Sequence, residues 1–102
     1  MFERGDVSKA IEDADHSSSS RLYIGGQEHF YLEGQGSLAL PSADGLHIIS
    51  STQHPSEIQD LVAEALNISA AEVTVEVRRM GGAFGGKETQ AAPLSIIAAL
   101  GA

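Results

Sequence analysis

Residues 81–88 are the part of the sequence best suited to bind a ligand. They hold four of the eleven glycines and read Gly81-Gly82-Ala83-Phe84-Gly85-Gly86-Lys87-Glu88. A strand-like run precedes them, and an apolar, alanine-rich run follows. In many folds, a strand, a bare-backbone loop and a helix in this order present N–H groups to an oxygen-rich ligand. We call residues 81–88 the glycine loop.

Phosphate is the obvious ligand for such a loop, but the sequence argues against it. Gly81, Gly86 and Lys87 match a nucleotide-binding P-loop up to its last position, which must be serine or threonine because its hydroxyl binds Mg²⁺. That position is Glu88 here, and a carboxylate would repel phosphates. A tight strand–helix connection that binds nothing is the plainer alternative, and the spacing alone leaves it open.

Three side chains of the glycine loop bear on its chemistry. Phe84 lies among glycines, so it either fills a gap in the core or lines a pocket for a planar ligand. Glu88 is predicted at a helix start, where the helix dipole favours its ionised form. It is either a helix N-terminal acid or a carboxylate directed into a pocket. Lys87 is interpreted as a solvated charge or a member of an ion pair rather than as a catalytic base.

A second polar cluster covers residues 25–33, which read GGQEHFYLE. Gln27 follows two glycines and could project an amide, both donor and acceptor, into a cavity. Glu28 and His29 would face opposite sides of a strand, which argues against a metal site ligated by the protein. His29 is therefore predicted to be a hydrogen-bonded structural residue.

The overall composition limits what the chain can do. Its 102 residues suggest one small domain, and 42% hydrophobic with 20% charged residues is typical of a globular protein. The net charge of −8 argues against binding to nucleic acid or to anionic membranes. The chain has no cysteine, which excludes disulfides, thiolate metal sites and iron–sulfur ligation. No N-terminal or long apolar segment is present, so we expect a cytoplasmic location.

The first half of the chain predicts a polar lead-in and short strands. Residues 1–20 are polar, with a short helix within residues 2–15 that Ser8 could cap, or a flexible linker. Residues 21–33 predict a strand interrupted at Gly25-Gly26. Residues 37–40 predict a strand that ends at Pro41. A hairpin turn at residues 42–45 leads to a partner strand at residues 46–51.

The second half predicts two helices and a strand. One apolar stripe defines an amphipathic helix that ends at Asn67, and it consists of Ile58, Leu61, Val62, Ala65 and Leu66. Residues 69–72 have capping-box spacing, and residues 73–78 alternate as in a half-buried strand. Residues 89–100 predict an apolar, buried helix with Pro93 in its first turn. The predicted fold class is α+β: a small mixed or antiparallel sheet packed by one amphipathic helix, with a C-terminal apolar helix.

Together, the cluster at residues 25–33 and the run at residues 79–89 resemble the molybdopterin-binding part of the xanthine dehydrogenase family. Ser51-Thr52-Gln53-His54-Pro55 and the amphipathic helix fit the same pattern, as do Gly5-Asp6-Val7 and Ala14-Asp15-His16. The resemblance covers almost the whole chain, and two long motifs in the right order make it specific. It implies oxidoreductase chemistry: the hydroxylation of aromatic heterocycles and aldehydes by a molybdenum–molybdopterin cofactor, with electrons leaving through iron–sulfur clusters and FAD.

The resemblance also implies roles for particular residues. Gln27 would hydrogen-bond an oxygen on molybdenum, and Phe84 and Gly85 would lie beside the metal without ligating it. Phe84 would also pack near the substrate ring. Glu88 would hydrogen-bond a purine-type substrate and steady charge on its ring. Aldehyde oxidases resemble the motif but usually lack this acid, so Glu88 favours the xanthine dehydrogenase type.

Some family features are missing or altered. Ser17 to Ser20 stand where the family has strand residues, and Gly34-Gln35-Gly36 is richer in glycine than the family pattern. The family's general-base glutamate lies downstream of Ala102, so no catalytic residue is predicted in this chain, and it should be inactive alone. The expected partners are the remainder of the molybdenum subunit and the iron–sulfur and FAD units.

Two other functions remain open on the sequence alone. The apolar run at residues 94–100 would suit a non-catalytic module that forms homo-oligomers or docks on another subunit. The N–H groups of the glycine loop would suit a binder of small anions or nucleotides, although Glu88 disfavours it.

Overall fold

A computed structural model describes residues 5–25 and 29–102 of the chain. Within these ranges the strands are β1 (Ser37–Ser42), β2 (Gly45–Ser50) and β3 (Val73–Glu76), and the helices are α1 (Val7–Glu12), α2 (Pro55–Leu66) and α3 (Ala92–Leu100), with a 3₁₀ turn at Ala70–Glu72. The sheet order is β1-β2-β3; β1 pairs antiparallel with β2, and β2 pairs parallel with β3. The predicted α+β class with a small mixed sheet is confirmed.

The β1–β2 hairpin closes where the sequence predicts it, with Ser42 opposite Gly45. Gly45 has a φ of 127°, and a Cβ atom there would collide with the carbonyl of Glu72, so only glycine fits. The predicted end of β1 at Pro41 is wrong, because the strand continues through Pro41 to Ser42. As β1 is an edge strand of the sheet, the missing N–H of Pro41 is tolerated.

The core lies on one face of the sheet, under α2 and α3. Alternate residues of β2 are buried, and α2 packs against both β3 and α3. Ile48, Ile58, Val62 and Val73 are at most 1% exposed, and they form the centre of this core. Burying a side chain of this size stabilises the fold by about 1.5–3 kcal/mol.

Helix α2 follows its predicted pattern closely. Ile58 and Val62 are buried, and Asn67 ends the helix in the left-handed conformation, with a φ of 54°. Ala65 of the predicted stripe is exposed, whereas Ala63 is buried instead. The predicted capping box is also confirmed, since Ser69 accepts a bond from the Ala71 N–H and Glu72 bonds back to the Ser69 N–H.

Helix α3 is shorter and less buried than predicted. It begins at Ala92 rather than at residue 89, with Pro93 in its first turn. Its buried residues are the small ones, Ala92, Ser95 and Ala99, which let the helix lie close to α2 and β1. Ile97 and Leu100 are 47% and 64% exposed, so the helix is buried on one side only.

The segments before β1 depart most from the sequence predictions. The predicted strand over residues 21–33 is wrong for its described parts, since residues 21–25 and 29–33 form no strand. Phe30 has a φ of 51°, which breaks an extended backbone. Helix α1 lies within the predicted lead-in, but Asp6 caps it rather than Ser8, and all of its residues are exposed. Among the described helices, none is long and apolar enough to cross a membrane.

Candidate functional site

The glycine loop connects β3 to α3 and has two distinct faces. Ala83, Gly86 and Lys87 are buried, whereas Phe84, Gly85 and Glu88 are exposed. A tight turn produces this alternation, with the Gly86 N–H donating to the Ala83 carbonyl at 2.7 Å. The loop is therefore anchored along one side and presents the other side outward.

Gln53 anchors the tip of the loop. Its side-chain oxygen accepts hydrogen bonds from the Gly85 N–H at 3.1 Å and the Lys87 N–H at 3.2 Å. The Gln53 N–H donates to the Lys87 carbonyl at 2.9 Å, and the Thr52 hydroxyl donates to the same oxygen at 3.0 Å. Both backbone groups of Lys87 are thus held by the segment between β2 and α2.

An ion pair between buried Lys87 and half-exposed Glu33 holds the loop from behind. Lys87 is 0% exposed, and its ammonium donates to Glu33 at 2.7 Å and to the Ser51 hydroxyl at 2.8 Å. It also lies 4.8 Å from the centroid of the Tyr31 ring, which gives a cation–π contact. The predicted ion pair is confirmed, but the prediction of a solvated charge is wrong.

One oxygen of Glu33, Oε2, accepts three hydrogen bonds. Besides Lys87, the Gly81 N–H donates to it at 2.9 Å and the Ser51 hydroxyl at 2.8 Å. The hydrogen bond from Lys87, followed by those from Gly81 and Ser51, lowers the pKa of the Glu33 carboxyl from 4.5 to about 2. Glu33 therefore stays ionised at every physiological pH.

Close packing at Gly86 joins the segment around Tyr31 to the back of the loop. A Cβ atom at Gly86 would lie 2.5 Å from the Tyr31 ring and 2.9 Å from the His29 ring, so a larger residue does not fit. The Gln35 amide donates to the Gly86 carbonyl at 3.1 Å and to the Tyr31 hydroxyl at 2.8 Å. The two motifs found in the sequence are therefore in direct contact.

The structure brings some of the predicted site residues together. Phe84 and Gly85 are neighbours at the tip of the loop, and Phe84 is 75% exposed with a φ of 51°. Glu88 lines an open cleft of about 350 Å³ together with Gln53 and His54. Gln27 lies outside the described residues, so its predicted position is not tested.

The predicted placement of Glu88 at a helix start is wrong. Helix α3 begins four residues later, at Ala92, because residues 89–91 form a turn that precedes Pro93. The helix dipole acts mainly within the first helical turn, so Glu88 is not a helix N-terminal acid. Its carboxylate belongs to the cleft instead.

The structure bears on metal ligation and on the role of His29. No group of three acidic, histidine or cysteine residues among the described residues could hold a metal ion. The His29 ring packs behind Gly86, but its Nδ1 is buried and has no hydrogen-bond partner within residues 5–25 and 29–102. The predicted structural hydrogen bond is therefore not found at that atom in the described part of the chain.

Sequence reasoning missed the anchoring roles of Glu33, Ser51 and Gln53. Their loop partners lie 32 to 54 positions away along the chain, and no local pattern marks such pairs. The only available signal was that each of them lies within a stretch that resembles one family.

Comparison with known proteins finds similarity over nearly the whole chain. A family model described as "Molybdopterin cofactor-binding domain" matches residues 1–102. The chain is 50% identical over 99 residues to a xanthine dehydrogenase from Calliphora vicina, covering 96% of this chain and 7% of that protein. It is 44% identical over 103 residues to aldehyde oxidase 2 from Cavia porcellus and 43% identical to a xanthine dehydrogenase/oxidase from Rattus norvegicus, each time covering 99% of this chain and 8% of the relative.

Proposed function

Because the chain belongs to the molybdopterin cofactor-binding domain family, we propose that it forms one wall of the active site of a molybdenum hydroxylase of the xanthine dehydrogenase type. The complete enzyme uses a molybdenum–molybdopterin cofactor. The chain spans less than a tenth of the relatives it matches. The activity, substrate and partners of the complete protein are therefore part of the proposal.

The exposed face of the glycine loop is the observation that carries the proposal. An aromatic residue in the left-handed conformation is strained, and such strain is concentrated at functional sites. Phe84 has this conformation and is 75% exposed, although a hydrophobic ring is stabilised by burial. Four hydrogen bonds through Gln53 and Thr52 hold the adjoining backbone in place. The fold thus maintains an exposed ring that a ligand or another part of the enzyme would cover.

The exposed face of the loop is open at Gly85. Nothing lies within 4 Å of a Cβ atom built at Gly85, so the backbone there is open to a close approach. Phe84 and Gly85 would contact the cofactor from this side, and Gln27 would donate a hydrogen bond to it. When bound, the cofactor supplies the two-electron oxidation that introduces oxygen at a substrate carbon.

The chain's own residues would orient the substrate. The Phe84 ring offers a flat apolar surface to an aromatic heterocycle and excludes water from it. The Glu88 carboxylate would accept a hydrogen bond from a ring N–H and hold the ring in one orientation. This pairing favours a purine over an aldehyde, which has no such N–H.

The partners follow from the same assignment. We propose that the chain functions with the remainder of the molybdenum subunit, which would carry the general-base glutamate. Iron–sulfur and FAD units would accept the electrons, and the cytoplasm is the proposed compartment. The 102-residue chain on its own should show no turnover.

The decisive experiment replaces Glu88 in the complete enzyme. The chain is co-expressed with the remainder of the enzyme, and purine and aldehyde oxidation are measured for Glu88→Gln and Glu88→Ala. A charge-assisted hydrogen bond is worth about 1.5–3 kcal/mol, so kcat/KM for the purine should fall about 10- to 100-fold. Aldehyde oxidation should change by less than about threefold, as only the purine uses this bond.

Glu64→Gln is the matched control, because Glu64 is an exposed acid on α2, away from the loop. It should leave both activities unchanged. Purine oxidation that is unaffected by both Glu88 variants would refute the assignment of Glu88 to the substrate.

A second candidate function is association with another protein surface. Val7, Ile11 and Leu100 are 61–73% exposed, and they line one open groove of about 860 Å³. Exposed apolar surface of this kind is typical of interaction sites. Sedimentation of the 102-residue chain tests this candidate: self-association that Leu100→Asp abolishes would support it, and a monomer at high concentration would contradict it.

A further inference from the structure

Lys87 is a fully buried cation for which the proposed function has no use. Removing an ammonium from water costs several kcal/mol even after relaxation, and a buried ion pair often adds no net stability. An apolar side chain at this position would avoid that cost. A buried ammonium depends on specific partners, here Glu33 and Ser51, which points to a role in holding one particular geometry.

The geometry of the pair shows what it holds. Oε2 of Glu33 accepts from the Gly81 N–H at 2.9 Å and from the Lys87 ammonium at 2.7 Å. Gly81 begins the glycine loop and Lys87 lies next to its end, so one carboxylate oxygen ties the two ends together. The Ser51 hydroxyl bridges the same two side chains, at 2.8 Å from each.

A glycine-rich loop needs such an external restraint. Glycine has more backbone freedom than any other residue, and half of the loop residues are glycine. Between the two tied ends lie Phe84 and Gly85, and Glu88 directly follows Lys87. If the two ends of the loop could move, the residues on its exposed face would therefore move with them.

We propose that Lys87 and Glu33 are positioning residues whose ion pair clamps the two ends of the glycine loop and fixes the orientation of Phe84, Gly85 and Glu88. The inference rests on the proposed function, because it assigns the clamp to the same site. The clamp also joins the loop to the segment that follows Gln27. It acts on every substrate of the site, whereas Glu88 distinguishes between substrates.

The test is made in the complete enzyme with Lys87→Met, Glu33→Gln and the double variant. Hydrogen exchange is followed by mass spectrometry in peptides that cover residues 81–88, and peptides covering β2 serve as an internal reference. Exchange in the loop should accelerate at least about tenfold while that of β2 keeps its protection, because only the clamp has been opened.

The kinetic readout separates a positioning role from a merely structural one. A small misplacement of substrate-contacting groups costs up to about 100-fold in rate. We expect kcat per bound molybdenum to fall about tenfold or more, by the same factor for purine and aldehyde. The double variant should lose no more than the worse single variant, because both substitutions open one clamp.

Glu76→Gln is the matched control, since it removes a carboxylate of similar exposure that pairs with Arg78 and His47, outside the loop. It should change neither loop exchange nor kcat. If Lys87→Met does not fold, Glu33→Gln alone carries the test, because it keeps the side-chain shape.

Unchanged loop exchange in Glu33→Gln, or losses in kcat that add independently in the double variant, would overturn the clamp. These outcomes are independent of the Glu88 experiment. If the clamp test fails but the Glu88 variants impair only purine oxidation, the proposed function stands. If the clamp test succeeds but the Glu88 variants leave purine oxidation unchanged, only the role of Glu88 is refuted.

Discussion

The sheet with α2 and the glycine loop are held in place by different forces. In the first region, Ile48, Ile58 and Val62 are fully buried, and apolar contact holds them. In the second, Glu33, Lys87 and Gln53 restrain the loop through polar contacts from distant segments. Apolar burial tolerates some repacking, whereas hydrogen bonds and ion pairs fix direction. Apolar burial thus stabilises the sheet and α2, and polar contacts set the orientation of the glycine loop.

The largest effect on stability is expected in the core. Ile58→Ala removes a fully buried side chain between α2 and the sheet and should lower the free energy of unfolding by about 2–5 kcal/mol. Ile97→Ala on the half-exposed side of α3 is the control, with an expected loss of less than about 1 kcal/mol. Urea denaturation measures both, and equal losses would contradict the placement of the core.

An intermediate effect is expected at the back of the loop. Gly86→Ala places a methyl group against the Tyr31 and His29 rings, and overpacking of this kind costs about 1–3 kcal/mol. Unlike Ile58→Ala, it should also shift the loop and reduce the activity of the folded complete enzyme. Gly36→Ala is the control, because nothing lies within 4 Å of a Cβ atom built there. Full activity in folded Gly86→Ala would show that the loop tolerates displacement.

The smallest effect is the pH dependence of the Glu33 contacts. The pKa of Glu33 is lowered from 4.5 to about 2 in the folded protein by Lys87, Gly81 and Ser51. A lowered folded-state pKa stabilises the fold fully above pH 4.5, and this contribution is lost as the pH falls towards 2.

Acid unfolding of the parent chain and of Glu33→Gln measures this contribution. The stability of the parent should fall more steeply than that of Glu33→Gln between pH 4.5 and 2, since only the parent must protonate this carboxylate. Parallel curves of stability against pH for the two proteins would show that the Glu33 contacts add no stability to the fold.

The same contrast explains which features could be predicted from the sequence. The α2 stripe, the Asn67 helix end and the Ser69 capping box each depend on residues a few positions apart, and all three are confirmed. The 42–45 turn is confirmed for the same reason. Local spacing is visible in a sequence, so the elements of the core could be predicted.

Features that depend on distant contacts could not be predicted in this way. The sequence did not decide whether Lys87 is solvated or forms an ion pair, because its partner Glu33 lies 54 positions away. Pro41 was expected to end β1, since the sequence does not show that β1 is an edge strand. The apolar residues of 21–33 suggested a strand, but residues 29–33 contact the loop mainly through the side chains of Tyr31 and Glu33. The proposed roles of Phe84, Gly85 and Glu88 rest on family resemblance, and the structure adds the contacts that hold the loop around them.

A structure of the complete enzyme with its cofactor bound is the most direct test of the account. We expect Phe84 and Gly85 to contact the cofactor from the exposed face of the glycine loop, Glu88 to face the substrate position, and the Lys87–Glu33 contact to be kept. A cofactor bound elsewhere, with the exposed face of the loop covered by another part of the protein, would contradict it.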